Sequence, residues 1–314
     1  MKQLFTLILI PFFLYAIDYS KTSQGKKFIN KMHYKYGFSK DYVASILSKA
    51  KHNQSVLDRY NGKRKNATDY SWARYKSKIL IPQSIELGRN FLKKYEKYLQ
   101  KAESIYKIDR KIVTAFIRVE TKFGLYGDEY RSIDVLTTLA FNKNRKQRFF
   151  KSELEKLFIV AKKSHKNILN IYGSFAGAMG CVQQMPSIYL KYGVDLDNNG
   201  IKDPNSMPDC IGSIAKFLRL NGWQNNKDTI IKPKVVNSNY KYLKSRVRSL
   251  YSVNTLVDFG VIPPYKSGKF YFIKLYNGKG YDIFLGDSNY KVITKYNYSK
   301  QYATSIGLYY KALK

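Results

Sequence analysis

Two stretches of this 314-residue chain carry side chains whose type and spacing allow chemistry. The first is the helix-patterned segment from Arg110 to Lys122, with Asp109 placed to cap its start and Gly124 to end it. Ile112, Val113, Phe116 and Val119 mark its apolar side, and Glu120 stands at the edge of that side, four positions after Phe116. A carboxyl held against apolar neighbours has its charged form disfavoured, so its pKa rises and it keeps a proton to donate. On pattern alone the plainer reading is a solvated glutamate paired with Arg118 or Lys122.

The second stretch is Asp195-Leu-Asp197-Asn-Asn199-Gly200-Ile201. Oxygen ligands at loop positions 1, 3 and 5, glycine at 6 and the Ile201 carbonyl at 7 form the opening of an EF-hand loop. Position 12 is Ser206, so the standard loop fails there, and Asp209 at position 15 is the next carboxylate available to close the shell. Three carboxylates and an amide suit a hard cation such as calcium, in a structural role. The competing reading is a polar Asx-rich turn.

Other chemistries find little support. His33, His52 and His165 lie in lysine-rich polar settings outside any nucleophile motif, which argues against Ser-His-Asp and Cys-His hydrolases. Two cysteines, Cys181 and Cys210, make neither a zinc signature nor a disulfide-rich scaffold. The 56 Lys and Arg against 22 Asp and Glu, net +34, point to polyanionic surroundings without naming the polyanion. Lys, Asn, Tyr and Ile are abundant throughout, so composition alone accounts for part of that charge.

The elements that must hold these residues are mostly helical from 27 to 230. Val43, Ile46, Leu47 and Ala50 share one face of Asp41 to Ala50, and Pro82 to Tyr106 reads as one long amphipathic helix. Phe149 to Lys163 and Ile211 to Leu220 repeat the pattern. Asp134 opens an apolar helical stretch as an N-cap or as a member of a structural ion pair. After Trp223 the texture changes. Ile230-Ile231 and Val235-Val236 flank Pro233, and Lys269 to Tyr276 and Tyr281 to Leu285 predict a hairpin through Asn277-Gly278-Lys279-Gly280. Tyr290 to Tyr296 predicts a third strand, and Gln301 to Leu313 a closing helix. The fold class is therefore α+β, predominantly α.

A series of motifs turns the balance for Glu120. Ala115-Phe-Ile-Arg-Val-Glu-Thr-Lys-Phe-Gly124 is followed by Arg131-Ser-Ile-Asp134-Val-Leu-Thr-Thr-Leu139 and Ser152-Glu-Leu-Glu155. Then come Gly173-Ser-Phe-Ala-Gly-Ala-Met-Gly180 and Gln183-Gln-Met-Pro-Ser187. Together they closely resemble the lytic murein transglycosylase B family, over nearly all the chain from Phe28 to Tyr302. The resemblance implies a lysozyme-like catalytic core at 110–223 that contains the EF-hand-like loop. An N-terminal helical region at 17–109 precedes it, a small β-containing segment at 224–295 follows, and 296–314 returns to the core.

The implied activity is non-hydrolytic cleavage of the MurNAc-β-1,4-GlcNAc bond of peptidoglycan, leaving 1,6-anhydro-MurNAc. One carboxyl serves where most glycosidases use two, and Glu120 takes the role of general acid and then base. Ser174, Gln183 and Asn297 match cleft positions that orient sugar and acid, and Tyr296 and Tyr302 match aromatic walls. Tyr75 and Phe149 match further sugar contacts. Arg145 and Lys146 match a basic pair near the muramyl peptide carboxylates, with Lys146 where arginine is usual. The family's EF-hand-like site has the longer spacing, which assigns Asp195, Asp197, Asn199, Ile201 and Asp209 to a structural calcium ion; catalysis needs no cofactor. Cys181-Val182 and Gln184 depart from the family and read as changes of subsite shape, and Cys181 could pair with Cys210 in an oxidising compartment. A hydrolytic muramidase and a non-catalytic wall-binding scaffold are the alternatives.

The start of the chain bears on the compartment. Met1-Lys2-Gln3 precedes an apolar run of 12 residues, Leu4 to Tyr15, and Leu14-Tyr15-Ala16 offers a cleavage site. Residues 1–16 thus read as a signal peptide, shorter than the roughly 20 residues of a membrane span. No cysteine follows the run, so the expected location is the periplasm without lipid attachment at that point. The expected partner is the peptidoglycan glycan strand, with other cell-wall enzymes as further candidates. Export argues against nucleic acid, and a monomer is expected.

Overall fold

Capping side chains are spaced along the chain, and each starts the helix behind it. The computed structural model describes residues 17–62, 72–127 and 129–314, so the signal peptide expected at 1–16 lies outside the described residues, as does Asp128. Thr22 caps α1 (Ser23–Tyr36), Ser39 caps α2 (Lys40–Lys49) and Asn53 caps α3 (Gln54–Asn61), each accepting a backbone N–H from the first turn. Next come α4 (Trp72–Ile79), α5 (Pro82–Lys94) and α6 (Glu96–Tyr106). The single helix expected over Pro82 to Tyr106 is broken at Tyr95, where φ is −108° and ψ is 21°. No glycine or proline marks the break. Its cause lies in packing, because α5 lies against the next helix while α6 lies against a helix a hundred residues later.

That next helix is α7 (Arg110–Thr121), capped by the Asp109 carboxylate, which accepts from the Lys111 N–H at 2.8 Å. Its Ile112, Val113, Ala115, Phe116 and Ile117 are fully buried. β1 (Tyr130–Arg131), α8 (Ser132–Phe141), α9 (Gln147–Lys163), β2 (Tyr172–Gly173), α10 (Pro186–Tyr192) and α11 (Met207–Leu220) complete the helical body. Asp134 does not cap α8, whose N-cap is Arg131. It is the ion-pair member, 2.7 Å from the Arg131 guanidinium, and it also accepts the Lys51 N–H.

The later segment builds β3 (Ile230–Ile231), β4 (Lys234–Val235), β5 (Leu250–Ser252), α12 (Val253–Asp258), β6 (Val261–Ile262), β7 (Lys269–Tyr276) and β8 (Tyr281–Gly286). One antiparallel sheet has the order β3-β8-β7-β5, and β4 pairs separately with β6. The predicted hairpin holds, in the register Tyr276↔Tyr281 to Tyr271↔Gly286. This sheet has its own small core of Leu256, Val261, Phe272 and Leu285.

The expected third strand is instead α13 (Ser288–Tyr296), followed by α14 (Lys300–Ala312). Two local facts override the β-type composition of 290–296. The Asp287 carboxylate caps the Ser288 N–H, and Tyr290 and Ile293 at helical spacing are both fully buried. α14 then packs along α7, which brings the end of the chain beside Glu120.

Candidate active site

Glu120 lies in the last turn of α7, and the backbone turns left-handed immediately beyond it, at Lys122 (φ 49°) and Phe123 (φ 65°), before Gly124 is reached. The carboxyl does not pair with either neighbouring cation. The Arg118 guanidinium is buried and turned away, donating to Ser84 Oγ and to the Lys78 carbonyl, both at 2.6 Å. The Lys122 ammonium sits over the Tyr126 ring, 4.2 Å from its centroid. Glu120 instead accepts a hydrogen bond on Oε1 from the Tyr302 hydroxyl. Burial pushes its pKa up to about 8, with the Tyr302 hydrogen bond acting in the opposite direction.

The surroundings are aromatic. Tyr302 is buried in the first turn of α14, a turn started by the Ser299 hydroxyl, which accepts the Tyr302 N–H at 3.3 Å. Tyr296 and Tyr302 meet Phe116 edge-on, with centroids 5.1 and 6.3 Å away. The Tyr296 hydroxyl donates to the Val182 carbonyl, joining α13 to the glycine-rich loop. Burial, followed by the Glu120 charge, raises both Tyr296 and Tyr302 well above the ordinary tyrosine range. The same two causes push Tyr75 up to about 12, which places this α4 side chain within electrostatic reach of Glu120.

The loop from 173 to 187 is shaped by close approach. A Cβ at Gly180 (φ 53°) would stand 1.7 Å from the Pro204 carbonyl oxygen, so no other residue fits there. The Ser174 hydroxyl accepts from the Ala176 and Ala178 N–H groups at 3.4 and 3.3 Å. Gln183 donates from Nε2 to the Gly127 and Gly180 carbonyls at 3.0 and 2.8 Å, so its amide nitrogen serves the backbone. The departure at Cys181 has a structural reason. Cys181 and Cys210 form a disulfide, with Cα atoms 6.0 Å apart, fastening the loop to α11.

The structure thus gathers Glu120, Tyr302, Tyr296 and Tyr75 around one carboxyl, with Gln183 bracing the adjoining turn. Asn297 ends α13 and is exposed. Arg145, Lys146 and Phe149 form a separate exposed group. The Arg145 guanidinium lies 5.0 Å from the Tyr60 centroid and the Lys146 ammonium 5.7 Å from that of Phe149. Two supports went unread in the sequence. Arg118 fastens the end of α4, and Trp72 donates to Asp282 Oδ2 at 2.7 Å from 210 residues away. Neither has a local signal, because each partner is remote in the chain.

In the acidic loop, oxygens of Asp195, Asp197 and Asp209 lie within 4.8 Å of one another. Asp209 is fully buried and accepts the Leu196 and Asp203 N–H groups, both at 2.8 Å. Burial, with the Asp197 and Asp195 charges adding to it, pushes its pKa up to about 6. Asn199 Oδ1 accepts from the Ile201 N–H, and Asp195 from Asn199 and Gly200. This all-oxygen, acidic donor set fits a hard divalent cation, whose charge would offset the crowding of three carboxylates.

Comparisons with known proteins bear on the family and the fold. The pattern of the Transglycosylase SLT domain family matches residues 20–309. Membrane-bound lytic murein transglycosylase B of Escherichia coli (strain K12) is 32% identical over 299 residues, spanning 92% of this chain and 82% of the relative. The E. coli lytic transglycosylase SLT35, solved with bulgecin A, superposes with a TM-score of 0.86 at 31% identity over 95% of each chain. SLT35 solved with calcium gives 0.85 at 32% identity, again over 95% of each. Soluble lytic transglycosylase SltB1 of Pseudomonas aeruginosa gives 0.85 at 28% identity, over 92% of this chain and 98% of its own. The family match over residues 20–309 and the 32% identity across 92% of the chain make it a member of the Transglycosylase SLT domain family, the lytic murein transglycosylases.

Proposed function

We propose that this lytic transglycosylase cleaves the MurNAc-β-1,4-GlcNAc bond with a single carboxyl, Glu120. The observation that supports the reading most is the buried Glu120–Tyr302 pair, in which burial keeps the carboxyl protonated at neutral pH and Oε1 accepts from the Tyr302 hydroxyl. The acid gives its proton to the glycosidic oxygen as the bond from C1 breaks, and positive charge develops at C1. The resulting carboxylate takes the proton of the muramyl C6 hydroxyl while that oxygen bonds to C1. A 1,6-anhydro ring forms, Glu120 is reprotonated and no water is consumed. Ser174, Gln183 and Asn297 orient sugar and loop. Tyr75, Tyr296, Tyr302 and Phe149 supply aromatic surface, and Arg145 and Lys146 face peptide carboxylates.

Asp195, Asp197, Asn199, the Ile201 carbonyl and Asp209 would hold calcium, whose charge would stabilise the loop between α10 and α11 in a structural role apart from the reaction. The segment 1–16 directs export to the periplasm, where the protein acts as a monomer on glycan strands. Purified sacculi incubated with the protein and with Glu120→Gln test the reading through the masses of the released muropeptides. Anhydro-muramyl ends from the parent and none from the variant are expected. Reducing ends would indicate a hydrolase, and equal release by both proteins would remove Glu120 from the mechanism.

A further inference from the structure

The turn that follows Glu120 holds large apolar side chains out in water. Lys122 and Phe123 (φ 49° and 65°), Gly124 (φ 85°) and Gly127 (φ 109°) all lie in the left-handed region, which residues bearing a Cβ disfavour. Such a turn persists only if its surroundings hold it, and here both ends are fixed. Phe123 stacks on Phe91 at 5.0 Å and 26°, and the Tyr126 N–H donates to the Thr121 carbonyl at 3.0 Å. At the far end, the Gly127 carbonyl accepts from Gln183 of the glycine-rich loop. The turn is therefore braced against the glycine-rich loop, one helical turn beyond Glu120.

What it carries is not used for packing. Leu125 is 72% exposed and Tyr126 53% exposed, while Phe123 between them and the helix is half-buried and packs against the core. The Lys122 ammonium, 4.2 Å from the Tyr126 centroid, fixes the ring by a cation–π contact. An ordered, half-exposed aromatic ring next to an aliphatic side chain presents a flat apolar surface with a polar rim. That surface matches the C–H face of a hexose, whose hydroxyls stay in water.

We infer that Leu125 and Tyr126, with Lys122 holding the ring, form an outer sugar subsite that stacks a hexose of the glycan strand beyond the pair of rings cleaved at Glu120. The inference rests on the reading of the Glu120 cleft as the glycan site, and it adds strand length as a determinant of affinity.

The test uses the Glu120→Gln protein, which holds ligand without turning it over, titrated calorimetrically with chitotriose and chitohexaose. Chitohexaose binds more tightly, and adding Tyr126→Ala lowers the hexaose-to-triose affinity ratio roughly fivefold to tenfold. Tyr126→Phe keeps the ring and restores the ratio. An unaltered ratio in Tyr126→Ala, with both sugars still bound, overturns the subsite and leaves the cleft reading standing. A folded Glu120→Gln protein that binds neither sugar overturns the cleft reading and the subsite with it.

Discussion

The Tyr302 hydroxyl donates to Oε1 of Glu120, joining two side chains that lie 182 residues apart in the chain. The contact exists because α14 returns along α7 after the sheet segment has been completed. It engages one carboxyl oxygen, and in the proposed mechanism the acid proton is carried by the other.

Tyr302→Phe removes that hydroxyl and keeps the ring. We expect kcat to fall about tenfold to a hundredfold with a smaller change in KM, since a positioned donor acts mainly on the transition state. The hydrogen bond lowers the Glu120 pKa, so its loss moves the alkaline limb of the rate profile to higher pH. A limb that stays in place or moves down would show that the hydroxyl does not reach the acid.

The acid must be protonated to act, so kcat/KM falls as pH rises through about 8. Stability follows the same group. Its folded pKa lies above the unfolded value of 4.5, so the folded state holds the extra proton between 4.5 and about 8. The stabilisation is complete below 4.5 and is lost as pH rises to 8. Glu120→Gln has no such loss, so its melting temperature should gain on that of the parent between pH 5 and pH 8. Parallel melting curves across that range would contradict the raised pKa.

Calcium added to metal-stripped protein should raise the melting temperature by several degrees once it is about a hundredfold above its dissociation constant. Asp195→Ala removes a carboxylate from the cluster and should abolish the rise. The absence of any shift in the parent would assign the loop to the Asx-turn reading.

The Cys181–Cys210 disulfide closes a separation of 29 residues, for which chain entropy gives about 3–4 kcal/mol. Cys181→Ser with Cys210→Ser should lose about that much in denaturant melts and should cease to respond to dithiothreitol. A reductant-insensitive parent with two free thiols would show that the bond does not form.

Much of the site was readable because its signals are local. The Asp109 cap, the apolar positions of α7 and the place of Glu120 beside them lie within twelve residues of one another, and the 277–280 turn with its flanking β-branched and aromatic runs specifies its own hairpin. The oxygen spacing of 195–201 likewise depends on nothing outside the loop. What was misread depended on partners the pattern does not name. The break at Tyr95 follows from two helices that pack on different neighbours, and the helix at 288–296 from a cap and buried side chains that outweigh β-type composition.

The amino-acid order by itself thus determined where α7 begins, which of its faces is apolar, and that a carboxyl stands near its end. The state of that carboxyl was decided only by tertiary structure. Arg118 is drawn away to Ser84 and Lys78, Lys122 to Tyr126, and Tyr302 is brought in from the far end of the chain. Periodicity fixes direction along one helix, whereas desolvation and a hydrogen-bond partner come from every element packed around it, and those distances are set by the assembled core.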